Sequence, residues 1–292
     1  QLERQMLGLG RIHLASALAL RMMNRDTTLR AFHEHDKRQH RHRTHEQGNH
    51  EEDTQLAGAH QIKRAANGTI VIGAMTRHAM SASSDFLVGS NSGVREAASK
   101  IANPTVRNMG TMGGSISFAD PGADYPPALV AANAEIEIVS PAGSKRIEAS
   151  EFFVDWYETI LQPGEIVSAI HLPAADPGGT GVHEKFARVE GDFATVSVNV
   201  VLALDGDICS SIRIAVGACG PTPVRSSEVE ASLIGNSLSK TALIKAGEQL
   251  AAACDPIDDQ RGSAEYRLHL VPQLVARAVF RAAHELEKRT TS

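Results

Sequence analysis

Cysteine is scarce: Cys209, Cys219 and Cys254 are the only three in 292 residues, and no two form a CxxC pair. That excludes a disulfide framework and a cysteine cage for zinc or an iron–sulfur cluster, so any such cluster in this protein's chemistry must be held by another chain. Scattered, odd-numbered cysteines also read as a reduced, cytoplasmic protein. Long apolar runs are missing too, and no stretch approaches the ~20 residues of a membrane-spanning helix. The opening segment "QLERQMLGLGRIHLASALALRMMN" is apolar in part. Arginines interrupt it and no small-residue cleavage site follows, so it does not read as a signal peptide. It starts on Gln rather than Met, as a fragment would. Excess positive charge is absent: the formal charge is −5, with no long basic face, which argues against nucleic acid as a main partner.

What is present is ordinary globular material, 42% hydrophobic and 22% charged, long enough for about two domains. Three textures follow one another. Residues 1–66 begin amphipathic and then become "FHEHDKRQHRHRTHEQGNHEEDTQ", with seven of thirteen histidines between His33 and His60. Such clusters can ligate zinc, nickel or copper. Here no spacing repeats and few apolar residues accompany them, so a solvated loop is the favoured reading. Residues 67–175 mix short strands and helices. "GTIVIG" reads as a strand leading into a turn and a helix start, and "SGVREAASKIANPTVRNMG" as one helix ended by Asn103-Pro104. "AEIEIVS" alternates as a half-buried strand, "PAGSK" turns it back, and "GEIVSAIHLP" is a further strand.

The third texture covers residues 176–288. "VHEKFAR" and "FATVSVNVVLALDGDICSSIRIAVGACG" read as an antiparallel meander turning at Asp205-Gly206. Helices are expected over 240–253 and 270–287, the second with apolar residues at helical spacing and arginines opposite. The Gly- and Pro-rich "PAADPGGTG" is the expected domain boundary. The fold class is α+β.

One stretch carries candidate chemistry: "NMGTMGGSISFADPGADYPPAL", residues 108–129. Gly113 and Gly114 lack Cβ atoms, so they can take positive φ and leave their amides open. Successive open N–H groups make a concavity suited to a pyrophosphate. Thr111 and Ser115 flank the pair with hydroxyls, and Asp124 is placed to accept from a hydroxyl of a ligand. It is not the G-x-G-x-x-G dinucleotide fingerprint. Alone, a Gly-Gly is more often simply a turn. His78 reads as a capping or loop histidine, and Arg188 and Asp192 as a structural pair. No residue stands out as an acid–base catalyst.

Six pieces in order carry a resemblance: "IGAMTRH", "IANPTVRNMGTMGGSISFADPGADYPPALVA", "PGEIVSAIHLP", "EKFARVEGDFATVSV", "GACGPTPVR" and "DQRGSAEYRLHL". Together they span roughly residues 67–287 and resemble the FAD-binding medium subunits of the molybdenum hydroxylases, such as those of carbon monoxide and xanthine dehydrogenases. The resemblance implies a vanillyl-alcohol-oxidase-type (PCMH-type) FAD-binding domain followed by a smaller C-terminal domain of antiparallel sheet plus helices. It implies FAD as cofactor, contacted by Ile101, Thr111, Met112, Gly113, Gly114, Ser115, Asp124, Val167 and Lys185. It places no metal site in this chain. Iron–sulfur clusters and molybdenum cofactor are expected only in partners, a molybdenum-cofactor large subunit and a two-cluster iron–sulfur small subunit, assembled as a dimer of heterotrimers.

Two departures qualify it. Ser115 stands where the family reads Asn after the glycine pair. The family's first glycine loop, of the form AGGQSL, is replaced by "GLGRIHLAS" ahead of residues 18–24. Residues 1–66 are therefore expected to be an atypical or degenerate part of the FAD-binding domain, or read from a shifted frame. The alternatives are a non-catalytic assembly remnant that keeps the fold without FAD, and a stand-alone flavin oxidase.

Overall fold

The structure, a computed structural model, describes residues 58–290. Expectations for residues 1–57, including most of the histidine-rich tract and the altered glycine loop, lie outside the described residues.

Five strands build a first sheet: β1 (Ile62–Arg64), β2 (Ile70–Gly73), β3 (Glu135–Ser140), β4 (Gly143–Glu148) and β7 (Ile166–Leu172). Their spatial order is β1-β2-β7-β3-β4, and every neighbouring pair is antiparallel. Ile72 opposes Ile170, which opposes Ile136 on its other side, so one apolar rung crosses three strands. Alternation along each strand makes that rung possible, since residues two apart share a face. Between β4 and β7 come a short helix, α6 (Ala149–Phe152), and a hairpin of β5 (Phe153–Asp155) and β6 (Glu158–Thr159).

The preceding helices are short: α1 (His78–Ala82), α2 (Ser92–Ser99), α3 (Pro104–Met109), α4 (Met112–Phe118) and α5 (Tyr125–Ala131). Met112 and Ile116 of α4, Tyr125 and Leu129 of α5 and Phe152 join Ile70, Ile72, Ile136 and Ile170 in one fully buried core. Each large side chain so removed from water contributes roughly 1.5–3 kcal/mol.

The single helix expected across "SGVREAASKIANPTVRNMG" is two helices. Asn103-Pro104 starts the second rather than ending the first: the Asn103 side chain accepts from Val106 N at 3.0 Å, with Pro104 in the first turn. An Asn cap followed by proline is a helix-start signal, because proline lacks an N–H that would be orphaned there anyway.

A second antiparallel sheet has the order β11-β10-β9-β8, formed by β8 (Gly179–Phe186), β9 (Val196–Asp205), β10 (Ile208–Gly217) and β11 (Val224–Arg225). Val182 opposes Val200, which opposes Ile214, giving this sheet its own apolar rung. Three helices accompany it: α7 (Ser227–Leu233), α8 (Lys240–Ala252) and α9 (Ala264–Thr290). Val271, Leu274, Val275, Val279, Ala282 and Leu286 recur on one face of α9 and are buried with Leu243 and Leu250 of α8.

Helix α9 starts before the expected residue 270 and carries Pro272 inside. Proline is favoured in a first turn and disfavoured in a helix interior, so its place here needs an accommodation. Here the helix is secured upstream, where Ser263 Oγ accepts from Tyr266 N at 3.2 Å. Gly247 of α8 then leaves room for Pro272, whose Cα would lie 2.4 Å from any Cβ at Gly247.

Helix α2 is clamped onto β8. Ser92 Oγ donates to Gly181 O at 2.6 Å, and a Cβ on Gly181 would come within 2.7 Å of Gly93 N. Glu96 of α2 pairs with Arg281 of α9 and accepts from His183 N at 2.9 Å. This clamp brings the end of α2 beside the end of β8.

Candidate functional site

Strand alternation puts His183 and Lys185 on the same face of β8. Both meet Asp124, the residue just before α5: His183 Nε2 lies 2.9 Å from Asp124 Oδ1, and Lys185 Nζ lies 2.8 Å from Asp124 Oδ2. The His183, Lys185 and Asp124 side chains are 0%, 6% and 5% exposed, so water screens the ion pair little. Lys185 Nζ also donates to Lys100 O at 3.1 Å, while Lys100 Nζ donates to His183 O. These crossed bonds hold the end of α2 against β8. Burial, and then the Arg281 charge, lower the Lys100 ammonium from its ordinary range.

Just beyond, the chain bends at Ala102, whose φ is +41°. Arg107 Nη1 donates to the carbonyls of Ile101 and Ala102, each at 2.7 Å. Gly191, in the β8–β9 connection, backs onto this bend at φ +82°, and a Cβ there would lie 2.8 Å from Ala102 O. Only glycine satisfies both the left-handed backbone and the close approach. Between the two segments lies a cleft of about 840 Å³, with Lys100, Ala102 and Arg107 on one wall and Lys185, Glu190 and Gly191 on the other. Three cations outnumber the Glu190 carboxylate and the Asp124 carboxylate paired with Lys185, which makes the cleft attractive to an anionic ligand, and its size falls within the roughly 300–1,000 Å³ of cofactor sites.

His78 is neither a cap nor a loop residue. It is the first residue of α1, is buried, and its Nδ1 lies 3.1 Å from Tyr125 Oη. Burial, then the Arg107 charge, bring its pKa down from 6.5 to about 4 against the pull of Asp124. Burial pushes the Tyr125 hydroxyl well above its ordinary range. Near neutrality this pair therefore holds a neutral imidazole and a neutral phenol.

The glycine pair also differs from its sequence reading. It is the first turn of helix α4, and neither glycine is among the residues of positive φ. Its amides are occupied: Met112 N donates to Thr76 O at 2.9 Å, Gly113 N to Ala74 O at 2.8 Å, and Ser115 N to Thr111 O at 3.0 Å. Gly114 N donates to Thr111 Oγ1 at 3.2 Å, so Thr111 is the helix cap. The first-turn donors are shared between the Thr111 cap and the carbonyls of Ala74 and Thr76 in the segment after β2, which is the physical reason why no open amide concavity forms. Gly113 is buried, whereas Gly114 is exposed and Thr111 and Ser115 are half-exposed.

Among the nine residues implied by resemblance, Lys185 lines the cleft, Asp124 is bonded to it, and Ile101 directly precedes Ala102 of the cleft wall while packing against the first core. Residues 111–115 lie on α4 and its cap, apart from the cleft lining. Val167 is in the first sheet opposite Ile138, packed into the core. Arg188 and Asp192 do not pair: Arg188 donates to Gln260 O at 3.1 Å, and Asp192 sits 3.8 Å from Arg261. Lys100, Arg107, His183 and Gly191 were not singled out from sequence. The period of two in "VHEKF" was the available signal for His183.

Residues 54–175 match the family described as FAD binding domain in molybdopterin dehydrogenase. Residues 182–282 match the CO dehydrogenase flavoprotein C-terminal domain. The chain is 37% identical to the carbon monoxide dehydrogenase medium chain of Afipia carboxidovorans, over 73% of this chain and 74% of that one. It is 36% identical to the glyceraldehyde dehydrogenase medium chain of Sulfolobus acidocaldarius, over 74% of this chain and 76% of that one. Among solved structures, carbon monoxide dehydrogenase from Hydrogenophaga pseudoflava, in a form lacking the Mo-pyranopterin moiety, superposes with a TM-score of 0.75. That match has 36% identity and covers 78% of this chain and 79% of that one.

Proposed function

The chain belongs to the FAD-binding medium subunits of the molybdenum hydroxylases, and from that premise we propose that its task is electron relay. In this reading a molybdenum-cofactor large subunit oxidises the substrate, a two-cluster iron–sulfur small subunit carries the electrons, and this subunit passes them to an acceptor. The three subunits assemble as a dimer of heterotrimers in the cytoplasm. Among the described residues no helix is long and apolar enough to cross a membrane. FAD supplies the redox chemistry, and this chain supplies binding, orientation and charge.

The carrying observation is the cleft of about 840 Å³ shared by α2–α3 and the end of β8, with the buried Lys185–Asp124 pair at its edge. Its cations suit a dianionic dinucleotide. Asp124 fixes the Lys185 ammonium, so the charge is oriented before any ligand arrives and no reorganisation is needed. Ile101 offers the apolar contact beside it. On α4 the occupied amides leave Thr111 and Ser115 hydroxyls and the exposed Gly114 backbone to meet a diphosphate, with Met112 and Gly113 holding that turn in place. Val167 contributes from the sheet beneath α4. We assign the FAD-binding domain to residues 67–175, with an atypical part at 1–66, and the C-terminal domain to 176–288.

The visible spectrum of the purified chain tests this reading. Flavin absorption near ~450 nm, with one FAD released per chain on denaturation, is expected. A colourless protein that takes up no added FAD would overturn it.

A further inference from the structure

A second cavity lies at the opposite end of helix α2. It measures about 600 Å³ and is lined by Arg64, Arg95 and Arg289, with Val88, Ala174 and Pro177 as apolar walls. It shares no lining residue with the Lys185 cleft. Ser92, at the start of α2, lines this cavity and Ser99, at its end, lines the other, roughly 10 Å apart at 1.5 Å per helical residue, with Arg95 midway along the helix.

Three arginines line this space, Arg64 and Arg289 at its exposed rim and Arg95 half-buried, and no carboxylate is among its lining residues. Arg95 is half-buried and makes no side-chain hydrogen bond or ion pair among the described residues. Arg289 spends its donors on neutral oxygens, Gly179 O and Thr180 Oγ1, each at 3.2 Å, which fixes the side chain without cancelling its charge. Arg64 lies 5.9 Å from the Phe86 ring centroid, a contact that also leaves its charge in place. The nearby Asp176 carboxylate accepts from Gly178 N at 2.9 Å and does not line the cavity.

The walls are pre-formed rather than loosely apposed. Gly68, at φ +86°, sits where a Cβ would meet Ala174 Cβ at 2.9 Å. Gly89, at φ +58°, sits where a Cβ would meet Asp176 O at 2.6 Å. Ser90 Oγ accepts from Asp176 N at 2.9 Å and binds the same linker again. Like charges gathered around one space repel, and a multivalent anion is the occupant that relieves them. Guanidinium forks match phosphate oxygens better than they match halide, because two N–H groups can bond at once. The volume exceeds a lone phosphate, and the apolar walls suit an attached organic group.

We propose that this arginine-lined cavity is a phosphate-binding site, distinct from the Lys185 cleft, for a small molecule bearing a phosphate or diphosphate group. The test is isothermal titration of the full chain with orthophosphate, pyrophosphate and ADP at constant ionic strength. The same titrations are run on Arg95→Gln and Arg64→Gln, whose side chains are not in the core. Saturable binding is expected, with pyrophosphate tighter than orthophosphate and each substitution weakening it by about tenfold, the loss of one charge-assisted pair. ADP binding tighter than pyrophosphate identifies a nucleotide as the source of the phosphate; equal affinity identifies free phosphates. Absence of saturable binding, or binding indifferent to both substitutions, would overturn the proposal. Neither arginine touches the Lys185 cleft, so flavin content should be unchanged in both variants whatever the titrations show.

Discussion

Replacing the two adjacent glycines one at a time separates a structural role from a ligand-facing one. In Gly113→Ala the new Cβ would lie 2.5 Å from Ala74 Cβ, 2.8 Å from Ala74 O and 3.0 Å from Ala74 Cα. Two of those neighbours are backbone, and Gly113 N is bonded to the same carbonyl at 2.8 Å, so the strand end cannot yield without losing that bond. Overpacking of this kind costs roughly 1–3 kcal/mol. Alanine's better helix propensity returns up to ~1 kcal/mol. A net loss of about 1–2 kcal/mol corresponds to a melting point lower by roughly 2–8 °C, at 2–4 °C per kcal/mol. In Gly114→Ala the nearest atom is Thr111 Oγ1 at 3.0 Å, and the position is otherwise open. Its melting point should hold or rise by a few degrees as propensity is gained, with no core to overpack. If the backbone here rests against the FAD diphosphate, the same methyl blocks that approach, and FAD affinity should fall at least tenfold. Calorimetric melting and flavin-fluorescence titration of both variants read the two effects independently. A Gly113→Ala protein that melts with the parent would refute the packing argument. A Gly114→Ala protein that binds FAD as the parent does would remove residues 111–115 from the cofactor surface.

Asp124→Asn should destabilise the chain by about 3–5 kcal/mol, because it leaves the Lys185 charge buried without its partner. Adding Lys185→Met should recover much of that loss, and a double-mutant cycle showing no coupling would sink the ion-pair reading. His78 gives a pH dependence of definite sign. Between its ordinary 6.5 and its folded value of about 4, the unfolded chain holds a proton that the folded chain refuses. Stability should therefore fall as pH drops from 6.5 towards 4, and this contribution should be level above 6.5. Urea midpoints across that range should fall less steeply for His78→Gln; an equal slope would assign the loss to other groups.

The fold class was legible because its signals are local. "AEIEIVS" and "GEIVSAIHL" announce strands by alternation and composition, and the buried face of α9 is written at helical spacing in "VPQLVARAVFRAAHEL". Family resemblance then supplied the flavoprotein architecture that local patterns cannot, since no alternation states which strand pairs with which. Misreadings arose where one residue type serves opposite purposes. Asn-Pro was taken for a stop and is a start, because a capping side chain accompanies it. The helix read from residue 270 begins earlier, at Ala264, with Pro272 inside it opposite a glycine that makes room for it.

The site was legible only in part, and for a reason of chain separation. Asp124 and Lys185 are 61 residues apart and His183 is 59 from Asp124, so nothing in their neighbourhoods declares the contact. What brings them together is a pair of close approaches with no side chain to advertise them: Gly181 against Gly93 and Gly191 against Ala102. Those glycines let helix α2 and the bend after it lie directly on β8 and its loop. The close packing that orders the Lys185 charge therefore also creates the cleft beside it. The glycines at 113 and 114 drew attention because they are adjacent, yet their amides are already occupied by the fold. Gly181, read from sequence only as part of a boundary stretch, and the isolated Gly191 do more to shape the cleft.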